Sequence, residues 1–246
     1  MPRYKCICAY DGSEFSGWQH QINAVGVQDI IEKKLELIFK KHIKIYASGR
    51  TDSKVHAKGQ CFHFDADFKH SPAQLLQALR SLPRRDILFI DLKQVSQNFN
   101  ARFDVKSKTY IYSICKGYAM PDKSKYMWSL ENRKIDVEKM RQASQIFLGE
   151  HDFTAFSASR GKGVKEKTVK TIFKFDIKET KKDIIIETRG SGYLYKMVRI
   201  LVGSLYQIGI NKLTKDEVLK ILNAKERTNK LFVAPPNALS LHKVYY

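Results

Sequence analysis

The chain is expected to fold as an α+β protein built from two similar halves. Three observations predict this. Apolar residues alternate in several short runs, they recur at helical spacing in others, and the two kinds of run follow the same order twice. The bulk numbers fit a folded chain of one large or two small domains: 246 residues, 43% hydrophobic and 11% aromatic.

In the first half, YKCICAY places Tyr4, Cys6, Cys8 and Tyr10 on one face of a strand. The turn-rich stretch DGSEFSGWQHQ follows, with Phe15 and Trp18 expected to be exposed. Val27, Ile30, Ile31, Leu35 and Ile38 recur at the spacing of an amphipathic helix. IKIYA and QCFHFDA read as strands on either side of a polar loop. Ser71 and Pro72 form a helix start, N-cap followed by proline, and Leu75, Leu76, Leu79 and Leu82 continue that helix. ILFIDL closes the half as a strand, for an order of β-α-β-β-α-β.

In the second half, KTYIYSIC alternates as a strand, and Val137, Met140, Ser144, Phe147 and Leu148 mark a helix that Gly149 should stop. TVKTIFKFDIK is expected to put Val169, Thr171, Phe173, Phe175 and Ile177 on one face, with DIIIETRG as its hairpin partner. Leu194, Val198, Leu201, Leu205 and Ile208 stripe a long helix, and Thr214 with Glu217 is a capping box for one more. ALSLHKVYY ends the chain as a strand. Two successive units of this order are the split βαβ, ferredoxin-like arrangement. A boundary near Asp104–Lys106 divides the chain into residues 1–104 and 105–246, and a duplicated pair should leave a cleft between its sheets.

The charge points to the partner. Lys and Arg number 44 against 25 Asp and Glu, for a net +19. Neutralising phosphates releases their counterions, so this excess favours a polyanion such as nucleic acid. No apolar run reaches the ~18 residues of a membrane span, and MPRYKCICAY lacks the apolar core of a signal peptide. A cytoplasmic protein is expected. Cys6, Cys8, Cys61 and Cys115 have no metal-ligand spacing and are expected to be reduced, mostly core thiols, with no metal site.

The polar stretch YASGRTDSKVHAKGQ, Tyr46 to Gln60, is the candidate site. Asp52 lies in a loop beyond a strand, with Arg50 two residues earlier, where functional groups concentrate. A polar turn with an Asx-type bond would also account for Asp52. Arg199 sits in a helical row with Tyr195, Val202 and Tyr206. A guanidinium buried there needs an anion, either an acidic side chain or a phosphate, unless it snorkels to water. Tyr110 is either a core aromatic or a stacking platform for a base. His56 and His63 read as satisfied core histidines, since nothing sets them beside a nucleophile.

Several stretches together make the chain resemble the tRNA pseudouridine synthase A family. They are YKCICAYDGSEFSGWQ, SGRTDSKVHAKGQCFHF, NFNARFDVKSKTYIYSI, GEHDFTAF, GYLYKMVRILVGSLYQIG, AKERT and APPNALSL, in order over nearly the full length. The resemblance implies two ferredoxin-like halves with a shared mixed or antiparallel sheet, helices on one face, a central cleft and a homodimer. It implies isomerisation of neighbouring uridines in the tRNA anticodon arm, by base flipping and with no cofactor. It makes Asp52 the essential carboxylate, Arg199 the basic residue paired with it and Tyr110 the aromatic packed on the uracil ring. It makes Arg50 the residue that fills the space of the extruded base. Lys54 departs from the family's usual glycine, so a positive φ there would strain the loop. The rival reading is a non-catalytic RNA-binding module of the same fold, but no RNP1-like aromatic run occurs. A zinc deaminase would need a His-x-Glu and Pro-Cys-x-x-Cys signature, also missing from the sequence.

Overall fold

The computed structural model describes residues 1–81, 85–159 and 167–246. Leu82, expected in the second helix, lies outside the described residues. The chain forms two compact units, Met1–Lys106 with Ser240–Tyr246, and Ser107–Leu239. The fold is α+β, as the periodicity predicts.

The first unit contains β1 (Arg3–Tyr10), α1 (Val27–Phe39), β2 (Tyr46–Ala47), β3 (His56–Asp65), α2 (Pro72–Ser81) and β4 (Ile87–Val95). The strand order β4-β1-β3, with β2 on β3, is antiparallel throughout and is that of a split βαβ unit. Tyr4, Cys6, Cys8 and Tyr10 are buried along one face of β1. That face meets α1, where Phe39 packs edge-on to Phe64 and the Lys34 ammonium lies over the Phe89 ring. Val27, Ile31 and Leu35, one residue per turn, are the buried stripe of α1. The start of α2 follows the expected signal, as the Gln74 amide donates to the Ser71 hydroxyl.

IKIYA forms far less strand than its alternation predicts. Ile43 and Ile45 are buried, yet only Tyr46 and Ala47 pair, opposite His63 and Phe62. In turn β3 begins four residues before QCFHFDA, at His56. Its opening residues His56 and Ala57 pair in parallel with Ser240 and Leu241 of β10 (Leu239–Tyr245). Most of the C-terminal strand thus packs in the first unit, a long-range pairing that sequence order does not encode.

The second unit contains β5 (Ser107–Cys115), α3 (Pro121–Ser124), β6 (Trp128–Ser129), α4 (Val137–Ser144), β7 (Gly149–Asp152), β8 (Val169–Glu179), β9 (Asp183–Gly190), α5 (Met197–Gly209) and α6 (Lys215–Ala224). Its strands run β5-β9-β8-β7, with β6 on β5. The expected capping box of α6 is present, since the Glu217 amide donates to Thr214 Oγ1 and Glu217 accepts from the Thr214 amide. The helix of Val137 ends at Ser144 and tightens into a 3-10 turn, Gln145–Phe147, and Gly149 then opens β7 instead of capping α4. Leu194 precedes α5 rather than belonging to it.

One face assignment is overturned. Phe173 is 54% exposed, whereas Ile172, Phe175 and Ile177 are buried. The β8–β9 register shifts between Ile172 and Lys174. This β-bulge adds one residue to β8 and turns the preceding alternation inside out.

Candidate active site

Phe15 and Trp18, expected at the surface, are 3% and 2% exposed. They belong to a brace that holds the Asp52 loop. Trp18 packs on Tyr10 and Phe62, so the stretch after β1 is anchored in the core. From there its backbone grips the loop: the Trp18 amide donates to the Thr51 carbonyl (3.1 Å), and the Lys54 amide to the Phe15 carbonyl (3.2 Å). The Ser53 hydroxyl also donates to the Phe15 carbonyl, and the Tyr10 and Thr51 hydroxyls share a buried hydrogen bond of 2.8 Å. The approach is close enough to require Gly17. Its φ is +96°, and a Cβ there would lie 2.7 Å from the Thr51 carbonyl oxygen.

The other flank is held by Gln60 of β3. Its side chain accepts from the Ser48 hydroxyl (2.7 Å) and donates to the Gly49 carbonyl (3.0 Å). Tyr46-to-Gln60 is therefore a closed device, with Ser48 and Gly49 tied to Gln60 and Thr51 tied to the Trp18 amide. Arg50 stands exposed between these two ties, and Asp52 is half-buried just beyond the second. Asp52 starts a turn, its carbonyl accepting from the Val55 amide (3.2 Å), with Ser53 and Lys54 at the centre. Lys54 has φ +63°, the conformation the sequence made conditional. The strain falls on the loop backbone, of the order of 1–2 kcal/mol for a residue with a Cβ.

Both histidines are satisfied structurally. His56 Nδ1 accepts from the Gly12 amide (3.0 Å) and lies 3.2 Å from the Asp11 carboxylate. His63 Nδ1 accepts from the Ala101 amide (3.1 Å), and its pKa is held below its ordinary value by burial and by the Arg3 charge. All four cysteines are free thiols, and burial pushes those of Cys6 and Cys8 up. No group of three or more His, Cys, Asp and Glu side chains able to hold a metal ion occurs among the described residues.

Tyr110 and Arg199 belong to the second unit. Tyr110, on β5, is nearly buried and meets Tyr193 edge-to-face, with ring centroids 5.2 Å apart. The Tyr193 hydroxyl in turn shares a hydrogen bond with Thr188 (2.9 Å), and burial pushes its pKa up. Tyr110 is thus a positioned aromatic, seated on a second ring whose own orientation is fixed. Arg199, on α5, is half-buried, and its Nε donates to the Ala234 carbonyl (2.7 Å). The Ala234 amide returns a bond to the Arg199 carbonyl (3.1 Å). Burial raises the pKa of the Tyr112 hydroxyl, and the Arg199 charge opposes that rise. Tyr112 donates to the Pro235 carbonyl, the neighbour of Ala234.

Other polar stretches of the second unit converge on the approach to α5. The Ala158 amide donates to the Tyr195 carbonyl (3.0 Å), and Arg227 Nε donates to the Ser157 carbonyl (3.1 Å). The sequence reading missed the brace from Phe15 to Trp18, Gln60 and Tyr193. A signal for the brace was present: Phe15 and Trp18 flank a glycine in a loop otherwise made of polar turn residues.

Known proteins resemble the chain over its full length. A family profile described as tRNA pseudouridine synthase matches residues 7–104 and 143–246. A Listeria innocua protein named tRNA pseudouridine synthase A is 39% identical, with all of this chain and all of that protein aligned. Proteins of the same name from Thermoanaerobacter sp. and Exiguobacterium sibiricum are 36% and 35% identical, over all of this chain and 100% and 97% of theirs. The chain therefore belongs to the tRNA pseudouridine synthase family, enzymes that isomerise uridine to pseudouridine.

Proposed function

We propose that the chain isomerises uridine to pseudouridine in the anticodon arm of tRNA, with Asp52 as the reacting carboxylate. The observation that carries this reading is the double tie of the Asp52 loop, to the Trp18 amide on one side and to Gln60 on the other. Catalytic groups must be held still to contribute their full effect. The bond between ribose and the uracil nitrogen breaks, the uracil turns, and a carbon of the ring joins the ribose instead. The product is an isomer of the substrate, so the reaction needs no redox cofactor.

In this reading Arg199 pairs with Asp52, favouring its ionised form and fixing its orientation. Tyr110 packs on the uracil ring, and Arg50, exposed beside the loop, fills the gap left by the extruded base. Flipping costs a few kcal/mol, offset by those two contacts. The net charge of +19 grips the tRNA backbone without reading bases. The enzyme acts in the cytoplasm as a homodimer. No helix among the described residues is long and apolar enough to cross a membrane. No observation favours the rival reading of a non-catalytic RNA-binding module.

The test is pseudouridine mapping, by carbodiimide-dependent reverse-transcription stops, in tRNA treated with the purified protein. Wild type should mark the anticodon arm. Asp52→Asn should leave tRNA binding intact and give no product, and near-normal turnover in that variant would remove Asp52 from the chemistry.

A further inference from the structure

The stretch NFNARFDV lies outside the machinery described so far, yet it is built with unusual care. The Asn100 side-chain oxygen accepts from the amides of Arg102 (2.9 Å) and Phe103 (3.2 Å). The Asp104 carboxylate accepts from the Asn100 amide (2.8 Å), and the Asp104 amide donates to the Asn100 carbonyl (3.1 Å). Both polar groups of the buried Ala101 backbone are also used: the amide donates to His63, and the carbonyl accepts from the Tyr246 hydroxyl (2.8 Å). Every residue from Asn100 to Asp104 is thus held through its backbone.

What this frame displays is an apolar ring. Phe103 is 78% exposed, with the Arg102 guanidinium 5.7 Å from its ring centroid. A single exposed apolar side chain is common and by itself means little. Here the ring is fixed in position by a hydrogen-bonded loop and carries a cation at its side. The nearest acid in sequence, Asp104, is engaged within the loop. A rigid aromatic beside an arginine is the chemistry that receives a nucleic-acid base, since every base offers a π-face and its backbone is anionic.

We propose that Phe103 is a stacking platform for an unpaired base of the tRNA substrate, with Arg102 contacting the adjoining phosphate. This rests on tRNA as the substrate, and it assigns the loop a role in affinity separate from the chemistry at Asp52. The ring binds, and takes no part in bond rearrangement.

The experiment measures tRNA affinity by filter binding and turnover at saturating tRNA, for the whole protein carrying Phe103→Ala, Phe103→Leu, Phe103→Tyr or Phe103→Trp. The Ala and Leu variants should bind about tenfold more weakly. The Tyr and Trp variants should bind about as wild type does, and maximal turnover should be unchanged in all four. The two native tryptophans, Trp18 and Trp128, are buried. The indole of Phe103→Trp should therefore dominate fluorescence quenching when tRNA is added. Wild-type affinity in Phe103→Ala would overturn the proposal. So would wild-type affinity in Phe103→Leu, because bulk rather than stacking would then be at work. A change of oligomeric state in Phe103→Ala would also overturn it, assigning the ring to a second copy of the chain. Asp52→Asn separates the two roles: active Asp52→Asn protein would refute the chemistry assigned to Asp52 and leave these affinities as they stand.

Discussion

The Tyr10 and Thr51 hydroxyls meet at 2.8 Å in the interior of the first unit, one residue before Asp52. One comes from the end of β1 and the other from the loop before β3, so this bond transmits the rigidity of the sheet to the loop. Removing one partner leaves the other buried and unsatisfied, at a cost of about 1–3 kcal/mol. Tyr10→Phe should therefore lower the free energy of unfolding by about that amount. It should also reduce turnover about tenfold through a loosened Asp52, with tRNA affinity unchanged. Denaturant unfolding and single-turnover kinetics on the same variant check both parts. A stability loss with undiminished turnover would mean that the loop is held by its backbone ties alone.

Lys54 makes the opposite kind of case. At φ +63° its Cβ is unfavourable, and glycine would relieve the strain while adding freedom to the unfolded chain. The two effects partly cancel, leaving Lys54→Gly more stable by up to about 1 kcal/mol. Lys54→Val should be less stable than wild type by about 1 kcal/mol or more, since a β-branched residue tolerates this conformation least. Midpoints of guanidinium unfolding rank the three proteins. Gly above Lys above Val is the expected order.

The contrast between these positions shows what a sequence can reveal. Alternation in YKCICAY and the turn-by-turn spacing of Val27, Ile31 and Leu35 report burial directly, so β1 and α1 were legible. Thr214 and Glu217 are a purely local signal, and α6 starts where they say. Asp52 could be placed in a loop after a strand because turn chemistry is local too. The bulge at Phe173 was not legible: one inserted residue reverses a face, and nothing in the composition of TVKTIFKFDIK marks it. The burial of Trp18 depends on Tyr10 and Phe62, the latter far along the chain, and the pairing of Ser240 with His56 spans most of it. Non-local contacts of this kind leave no periodic trace.

His63 adds a pH dependence. Its Nδ1 accepts from the Ala101 amide, which requires the unprotonated ring, and its pKa is lowered from the ordinary 6.5. As pH falls, the unfolded chain takes up this proton before the folded one does. The stabilisation is complete above about pH 6.5 and is lost as pH falls towards the lower folded value. The Arg3–Asp65 pair does not contribute in that window, because its hydrogen bonds hold Asp65 below the ordinary 3.8. Protection of the Ala101 amide against hydrogen exchange, corrected for the intrinsic rate, should therefore fall as pH drops below about 6.5. In His63→Gln that dependence should disappear. An unchanged slope in the variant would assign the acid sensitivity elsewhere.

Arg199 stands in a row that α5 uses to receive an extended segment. Residues 199, 203 and 207 succeed one another at one-turn intervals. Arg199 exchanges two hydrogen bonds with Ala234, and Gln207 donates to the Lys230 carbonyl and accepts from the Phe232 amide. Between them Gly203 gives the clearance: a Cβ there would sit 1.8 Å from the Phe232 carbonyl oxygen, a backbone atom with no flexible end to move aside. The segment cannot retreat without breaking the bonds at both ends. Gly203→Ala, favourable for helix propensity by about 1 kcal/mol, should instead destabilise the protein by about 2 kcal/mol or more through overpacking. Gln207→Leu, which removes one end of the latch, should make the two changes less than additive, because the freed segment can then yield to the new methyl group. A double-mutant cycle in thermal or denaturant unfolding measures that coupling. Strict additivity would show that the segment is seated by its own packing, and that the bond from Arg199 to Ala234 orients the guanidinium without help from the rest of the row.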